Sequence, residues 1–385
     1  MSDVARIEAL AGEVAEWRRE IHRHPGIGFD VGPTAALVAG KLRGFGFDEV
    51  LEGVGRTGVV GVLRGARDGS RAVALRADMD ALPIHEQTNL AHASREPGRM
   101  HACGHDGHTA MLLGAAKHLA QTRDFAGTAV FVFQPAEEVS QGAEAMIADR
   151  LFERVPVDAI YGLHSLPGLP VGHFATRPGA VMASVDRFEV AVTARGAHAA
   201  MPHQGVDAVY VASQIVVALQ SIVSRNLDPL EPAVVSVGAI QAGDAFNVLP
   251  DAARLLGTAR ALSADARDTI ERRLREIAEG IARLNGAEAR VTYDRISPAT
   301  VNHAAQAGIA ARVGSAVAGE GNTDPAMPPL MIGEDFARFL ERKPGAFAFI
   351  GNGDTAGLHH PGYDFDDRAI PAGIRYWVGL VETKS

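Results

Sequence analysis

At 385 residues the chain exceeds the roughly 250–300 residues that one hydrophobic core commonly supports, so two domains are expected. Hydrophobic residues make up 47% and charged residues 22%, which predicts compact folding and argues against disorder, collagen or coiled coil. The net charge of -9 and the pI near 5.9 argue against the basic surface that nucleic acids or anionic membranes require. Small molecules are therefore the expected partners.

Cellular location is the next property that the residue types address. Cys103 is the only cysteine, so no intramolecular disulfide can form and nothing indicates an oxidising compartment. The N-terminal segment carries charges throughout and lacks the apolar stretch and cleavage site of a signal peptide. No run approaches the ~18 apolar residues of a membrane-spanning helix. We expect a cytoplasmic protein.

The first half of the chain predicts alternating helices and strands. Apolar residues recur at intervals of three and four before Pro25, which predicts an amphipathic N-terminal helix: Ile7, Leu10, Val14, Trp17 and Ile21. Short apolar runs follow, GVVGVL, RAVALRA and TAVFVF, with a helical stretch over 108–121 between the last two. This alternation predicts an α/β layer with helices around a mostly parallel sheet.

Polar residues follow several of these apolar runs. Asp78 and Asp80 follow RAVALRA, Glu137 and Glu138 follow TAVFVF, and His164 follows DAIYGL. Because functional groups of such sheets collect at the carboxyl ends of the strands, these side chains are expected near one another.

A different pattern begins near residue 184. The segments DRFEVAVTA, AVVSVGAI and AARLLGTAR predict strands, and 205–225 and 263–285 predict helices, so that two helices would lie beside one antiparallel sheet. After Pro298 the α/β pattern returns, with AFAFIG as its clearest strand. The sequence therefore predicts an α+β domain over 184–295 inserted into a discontinuous α/β domain over 1–183 and 296–385.

The segment MHACGHDGHTAM concentrates residue types that bind metals: His101, Cys103, His105, Asp106 and His108. Cys103 and His105 can face one ion only from an extended or looped backbone, which Gly104 makes easy to form. The alternative is a polar loop that caps the following helix. The density of the cluster favours a metal site.

Adjacent carboxylates point to different sides of an extended chain, so that one of Glu137 and Glu138 can bind a metal while the other reaches a bound water. Taken alone, the pair is more typical of a solvated surface, because surface Glu pairs are ordinary. His164, and His359 with His360, are each more often hydrogen-bonded histidines than ligands when considered singly. Several such candidates together favour hydrolytic metal chemistry.

The sequence resembles the bacterial hippurate hydrolase and plant auxin-conjugate hydrolase branch of the M20 metallopeptidase clan nearly end to end. The matching stretches are WRREIHRHP, ALRADMDALPI, MHACGHDGHTAMLLGAA, FQPAEE, GLHSLPGLPVG, GAHAAMPHQGVDAV, NVLPD, GTAR, GEDFA and LHHPGYDF. The resemblance implies that Glu137 is the catalytic base and that five residues bind metal: Cys103, His105, Glu138, His164 and His359. It also implies that the inserted domain is a lid and dimerisation domain, from which His198 reaches the neighbouring protomer's active site.

The resemblance implies an enzyme that binds two divalent metal ions (zinc, manganese, cobalt or nickel) and cleaves the amide bond of an N-acyl amino acid. A dipeptidase or an N-acetyl-diaminopimelate deacetylase is the alternative enzyme, and a metal- or ligand-binding module without catalysis is the alternative from another class. The expected assembly is a homodimer or higher homo-oligomer. Gly26 and Ile27 depart from the commonest family pattern, in which Glu follows the His-Pro pair, and Arg195 stands where many relatives have Lys.

Four residues have expected roles beside the metals. Asp80 either orients a ligand or its loop, or simply caps a turn. Asn247 and Arg260 offer amide and guanidinium donors for the free carboxylate of the amino acid, although both also suit a strand-end surface. The resemblance implies that His198 donates to the oxyanion of the tetrahedral intermediate, whereas without the resemblance a core or surface histidine is the favoured interpretation.

Overall fold

The computed structural model describes residues 3–383, which divide into two compact units. The first unit contains the described residues of Met1–Val181, Val301–Pro328 and Asp335–Ser385, and the second contains Met182–Thr300 and Pro329–Glu334. The expected inserted domain, 184–295, lies inside the second unit. The segment Pro329–Glu334 also belongs to that unit, because Ala183 N–H donates to the carbonyl oxygens of Leu330 and Ile332 at 3.1 and 2.9 Å.

The helices and strands are numbered along the chain. The helices are α1 (Asp3–Arg23), α2 (Gly32–Phe45), α3 (His105–Thr122), α4 (Gly142–Ala148), α5 (Leu151–Arg154), α6 (Ala208–Leu219), α7 (Ala264–Leu284), α8 (Ala304–Ala318), α9 (Ala337–Leu340) and α10 (Ile370–Glu382). The strands are β1 (Glu49–Val54), β2 (Gly58–Arg64), β3 (Arg67–Asp78), β4 (Ala126–Gln134), β5 (Ala159–Leu166), β6 (Phe174–Ala175), β7 (Gly179–Met182), β8 (Val185–Thr193), β9 (Ala197–His198), β10 (Ala233–Gln241), β11 (Val248–Leu249), β12 (Ala252–Ala261), β13 (Glu288–Ser297), β14 (Thr300–Asn302), β15 (Thr323–Asp324) and β16 (Gly345–Gly351).

The first unit contains an eight-stranded sheet in the order β1-β2-β4-β3-β5-β16-β6-β15. Its central strands β4, β3, β5 and β16 are mutually parallel, as the sequence predicts, and strands at both sides add antiparallel pairs. The carboxyl-terminal half of β3 and nearly all of β16 are buried, because helices cover the parallel strands. The carboxyl ends of β3, β4 and β5 therefore lie at one edge of the sheet.

Helix α3 is almost entirely buried, with α1, α2 and α10 packed around it. It begins at His105, three residues before the start that apolar periodicity predicts, because the residues of its first turn are polar yet buried. A helix that is buried on all sides loses the alternation of apolar and polar residues that marks a surface helix. The first turn of α3 thereby places candidate ligands directly beside the sheet edge.

The turn after α1 contains one of the departures from the commonest family pattern. Gly26 accepts a hydrogen bond at its carbonyl oxygen from Ala81 N–H at 2.7 Å. An added Cβ at Gly26 would lie 2.0 Å from the carbonyl oxygen of Asp30. This turn therefore requires glycine at position 26.

The second unit is an α+β structure, as predicted. Its four-stranded sheet has the order β10-β12-β8-β13, and all neighbouring strands are antiparallel. Helices α6 and α7 pack against it, and α7 buries residues at helical spacing: Ile270, Leu274, Ala278 and Ala282. Helix α6 begins later than predicted, because the Asp207 carboxylate accepts the N–H groups of Val209 and Tyr210 and so caps the first turn.

Among residues 3–383, no helix is both long and apolar enough to span a bilayer.

Candidate active site

The loop before α3 carries Cys103 and His105 into the same place. Gly104 between them has φ +83, in the left-handed region that favours glycine. A Cβ there would lie 2.5 Å from both Ser165 Oγ and Tyr363 Oη. Glycine is therefore required by both backbone conformation and space, and the loop turns the two flanking side chains toward the carboxyl edge of the sheet.

The Glu137–Glu138 pair follows β4 through a strained residue, since Ala136 has φ +56. The buried Asp80 carboxylate holds this segment: one oxygen accepts Glu137 N–H at 2.9 Å and the other accepts Glu138 N–H at 3.1 Å. Asp80 Oδ1 also lies 3.7 Å from His105 Nδ1. The Asp80 carboxylate therefore holds the backbone of the loop that carries Glu137 and Glu138, and its functional role remains a prediction.

His164 lies near the end of β5. Its Nδ1–H donates to the carbonyl oxygen of Ser165 at 2.7 Å, so that Nε2 keeps its lone pair. This Nε2 atom lies 3.4 Å from Cys103 Sγ. The ring is therefore fixed in the tautomer that a metal ligand requires, with its basic nitrogen beside the thiol.

His359 approaches from the C-terminal part of the first unit with φ +63, an uncommon value for a residue other than glycine. Its backbone N–H donates to the carbonyl oxygen of Ala102 at 2.8 Å, which ties it to the loop of Cys103. Its Nε2 lies 3.4 Å from Glu138 Oε2, and its side chain is 54% exposed. Its neighbour His360 instead accepts Gly362 N–H at Nδ1.

The five candidate ligands form two overlapping triads. Cys103, His105 and His164 offer ligand atoms that all lie within 4.8 Å of one another, and so do Cys103, Glu138 and His359. Cys103 belongs to both. Within the first unit, two further groups meet the same distance limit: His105 with Glu137 and Glu138, and Asp78 with His105 and His108.

Unpartnered buried atoms test whether these residues fit a cation. Both ring nitrogens of His105 and the Oε1 atom of Glu138 are buried without a hydrogen-bond partner. His105 Nε2 and Glu138 Oε1 are 3.8 Å apart. Leaving such atoms unpaired costs about 1–3 kcal/mol each, more for charged groups, and a coordinated divalent cation would remove that cost. The donor set therefore fits a metal.

The pKa shifts of the clustered residues also favour a bound cation. Burial lowers the pKa of His105, but the carboxylates around it, above all Asp78, outweigh that effect and raise the pKa to about 10. Burial raises the pKa of Glu138 to about 7, and burial together with nearby carboxylates raises the pKa of the Cys103 thiol well above its usual range. A divalent cation between these groups would favour the thiolate, the neutral imidazole and the carboxylate.

The second unit carries His198 and Asn247 close together. Strands β9 and β11 pair so that His198 lies opposite Val248, and Ala199 N–H donates to the carbonyl oxygen of Asn247 at 3.1 Å. His198 Nδ1 accepts Ala200 N–H at 3.0 Å, which leaves Nε2 as the site of the proton in the neutral ring. His198 therefore presents an exposed N–H donor.

Arg260 belongs to a different sheet, the four-stranded one, where it lies on β12 opposite Val234. Its guanidinium donates to Thr258 Oγ1 and, at 2.9 Å, to the carbonyl oxygen of Ala259. The half-buried side chain is thus partly engaged by its own strand. Its carboxylate-binding role remains a prediction.

Three buried residues beside the triads have no specific role in the sequence analysis: Asp78 and His108, which it names among the candidates, and Ser165, which it does not. His108 Nδ1 lies 2.7 Å from Asp78 Oδ1, and its Nε2 contacts Ser165. Because these hydrogen bonds occupy His108 and Asp78, the group that they form with His105 is less suited to a cation than the two triads are. The spacing of His105 and His108, which places both on one helix face, was the available signal.

Comparisons with known proteins agree with this arrangement. The model of peptidase family M20/M25/M40 matches residues 74–383. The chain is 43% identical over 380 residues to hippurate hydrolase of Campylobacter jejuni, covering 99% of this chain and 98% of that protein. It is 40% identical over 382 residues to N-acetylcysteine deacetylase of Bacillus subtilis, with 97% of both chains covered.

Solved structures show the same fold. A putative aminohydrolase from methicillin resistant Staphylococcus aureus superposes with a TM-score of 0.92 at 32% identity and 99% coverage of both chains. The Bacillus subtilis YXEP protein, described as a dinuclear metal binding peptidase from the M20 family, superposes with a TM-score of 0.85 at 35% identity, covering 97% of this chain and 98% of that one. The resemblance drawn from the sequence motifs is confirmed, and this chain belongs to peptidase family M20/M25/M40.

Proposed function

We propose that the protein is a metal-dependent amidohydrolase that cleaves N-acyl amino acids into a carboxylic acid and a free amino acid. The observation that carries this proposal is the pair of overlapping triads that share Cys103, with Glu137 beside them. The relatives support the substrate class, because hippurate and N-acetylcysteine are both N-acyl amino acids.

Cys103, His105 and His164 would hold one divalent ion, and Cys103, Glu138 and His359 the other. A thiolate, imidazole and carboxylate set accepts zinc, manganese, cobalt or nickel, and supply and geometry select among them. Bound ions would lower the pKa of water and polarise the scissile carbonyl group. The description of the YXEP protein as a dinuclear metal binding peptidase supports two ions in this chain also.

Glu137 is the proposed general base and acid. It belongs to neither of the two triads that share Cys103, yet its carboxylate lies within 4.8 Å of the ligand atoms of His105 and Glu138. Its backbone N–H is held by Asp80, so that the carboxylate is directed while its neighbour binds metal. It would take a proton from the attacking water and deliver that proton to the departing amine.

The second unit would supply substrate contacts. His198 would donate its Nε2–H to the oxyanion in the active site of a neighbouring protomer, which makes a homodimer the proposed functional assembly. Its exposed ring and fixed Nδ1 acceptor support this role. Asn247 and Arg260 would bind the free carboxylate of the amino acid, and the unit as a whole would act as a lid.

Hydrolysis of a substrate panel tests the proposal. The purified protein is loaded separately with zinc, manganese, cobalt and nickel, and release of free amine is measured from N-benzoylglycine, N-acetylcysteine, N-acetyl-diaminopimelate and unmodified dipeptides. We expect the benzoyl and acetyl derivatives of simple amino acids to have the highest kcat/KM. Preference for dipeptides or for the diaminopimelate derivative would overturn the substrate class, and tight binding without turnover would indicate a module that has lost hydrolysis.

A further inference from the structure

Three buried residues of the first unit form a hydrogen-bonded chain that the proposed mechanism leaves unused. Asp78 Oδ1 lies 2.7 Å from His108 Nδ1, and His108 Nε2 lies 3.1 Å from Ser165 Oγ. All three side chains have 0% exposure. The order of groups is that of a serine hydrolase triad, so a nucleophilic serine is the first hypothesis to examine.

The hydrogen-bond directions argue against a nucleophile. Ser165 N–H donates to His108 Nε2 at 2.8 Å, so the lone pair that would accept the hydroxyl proton is already engaged. The Ser165 hydroxyl also contacts Tyr363 Oη at 3.0 Å, in the space that Gly104 leaves open. A substrate carbonyl cannot reach a serine enclosed on every side by the protein.

The same hydrogen-bond directions fix the tautomer of His108. Because His108 Nε2 accepts the Ser165 N–H, the proton of the neutral ring is on Nδ1 and is donated to Asp78. Asp78 is held in turn by Arg76 Nη1 at 2.7 Å. The neutral His108 ring, whose orientation Asp78 fixes, therefore holds the Ser165 backbone.

The chain of bonds continues to a candidate ligand. The carbonyl oxygen of Ser165 accepts the Nδ1–H of His164 at 2.7 Å, which leaves His164 Nε2 as a lone pair 3.4 Å from Cys103 Sγ. Ser165 Oγ also lies 3.5 Å from the carbonyl oxygen of Cys103. Ser165 therefore connects the buried hydrogen bonds of His108 to the His164 ring and sets the direction of that ring.

We infer that Asp78 and His108, acting through the Ser165 backbone, form a positioning relay that holds His164 as an Nδ1–H tautomer aimed at the metal site. The inference rests on the proposed function, because His164 is the ligand that the relay serves. Groups that orient metal-bound histidines typically contribute about 10–100-fold in metal affinity. The relay accounts for buried polar residues that a purely structural interior would replace with apolar ones.

Metal affinity of two variants tests the relay. His108→Phe keeps an aromatic ring and removes the hydrogen bonds to Asp78 and Ser165, so we expect the metal dissociation constant, measured by competition with a chromophoric chelator, to rise about 10–100-fold. His108→Gln can still accept the Ser165 N–H and should recover part of that loss. Wild-type metal affinity in folded His108→Phe would overturn the inference.

Ser165→Ala separates the relay from a nucleophile. This variant removes the hydroxyl but keeps the backbone N–H and carbonyl, so we expect a far smaller loss of metal affinity and turnover than in His108→Phe. Loss of all turnover at normal metal content would overturn the relay in favour of a nucleophilic serine.

Nitrogen NMR of the metal-free wild-type protein supplies a readout that needs no variant to fold. The ¹⁵N shifts of His108 and His164 should report neutral rings with the proton on Nδ1, and an Nε2–H tautomer at His164 would overturn the relay. Failure of the proposed function has a different signature, because the wild-type protein would then hydrolyse nothing in the substrate panel while the tautomers and the effect of His108→Phe on metal affinity remained.

Discussion

The two units carry candidate residues whose positions are controlled in opposite ways. In the first unit, His105 and His164 are buried, and the His164 ring is held by a backbone hydrogen bond. In the second unit, His198 and Asn247 are exposed. His198 lies on a two-stranded pairing of only two residues per strand, and Asn247 directly precedes it. The first set is organised by the chain itself, whereas in the proposed function the second gains its environment when substrate or another protomer covers it.

This difference has an energetic basis. Buried polar groups must be satisfied within the protein, and the hydrogen bond of His164 restricts its ring to one orientation. Exposed groups can exchange partners with water, and their orientation is costly to fix. Substitutions of the buried candidate ligands, and of the residues that hold them, should therefore affect metal binding and stability together. Substitutions of the exposed residues in the second unit should change substrate binding or turnover without changing metal content.

Glu137→Gln is the sharpest test of the first unit and carries the largest expected effect. The amide cannot accept the proton of the attacking water, so we expect kcat to fall about 10²–10⁴-fold while metal content is retained. Amine release and metal analysis of the same preparation measure both. The surface variant Glu153→Gln serves as the control, and wild-type turnover by Glu137→Gln would refute the assignment.

His198→Ala tests the opposite side of the comparison. Loss of an oxyanion donor should lower kcat about 10²–10³-fold, and the melting temperature should stay unchanged because the ring is exposed. The neighbouring exposed histidine variant His203→Ala is the matched control. Mixing His198→Ala with Glu137→Gln should restore part of the activity in heterodimers, and no recovery would count against a shared site.

His359 and His360 offer a comparison within one dipeptide. His359 contacts Glu138, whereas His360 bonds to a backbone N–H, so His359→Ala should weaken binding of one ion by at least about 100-fold and His360→Ala should leave metal content intact. Titration monitored by metal analysis distinguishes the two variants. Equal metal content in both would remove His359 from the ligand set.

Arg260 tests how far the second unit contributes to substrate binding. Arg260→Met keeps the apolar stem and removes the charge, so KM for an N-acyl amino acid should rise roughly tenfold with a small change in kcat. For an N-acyl amino acid amide, which lacks the carboxylate, the KM of this variant should equal that of the wild type. An equal KM increase for acid and amide would show that Arg260 acts through packing.

His22 carries the smallest expected effect and belongs to the buried part of the first unit. Burial lowers its pKa, but Asp106, at 2.8 Å from Nδ1, and Glu86 raise it to about 9. A raised pKa stabilises the fold fully below the unfolded value near 6.5, and this contribution is lost as the pH rises through about 9.

His22→Gln should therefore flatten the fall of the melting temperature between about pH 6.5 and 9.5 by a few °C relative to the wild type. Differential scanning fluorimetry across that range measures the slope. The exposed variant His85→Gln should keep the wild-type slope, and an unchanged slope in His22→Gln would contradict protonation of the buried ring.

Residue chemistry and periodicity were sufficient to predict the fold class. Strand and helix types follow from local apolar spacing, and candidate ligands were recognisable because they follow apolar runs at the carboxyl ends of predicted strands. The assignment of Pro329–Glu334 to the second unit was not predictable, because it depends on hydrogen bonds between residues distant in sequence, such as Ala183 and Ile332.

The sequence alone predicts the local features: a strand, a loop with Gly104 and a helix that bring Cys103 and His105 together, and a Glu pair after a strand. Which of these groups meet depends on the tertiary structure, because the sheet places the strands in the order β4-β3-β5, which differs from their order in the chain. The pairings of Asp78 with His108 and of His108 with Ser165 span 30 and 57 residues. The tautomer of His108 follows from such long-range bonds, and no local pattern encodes it.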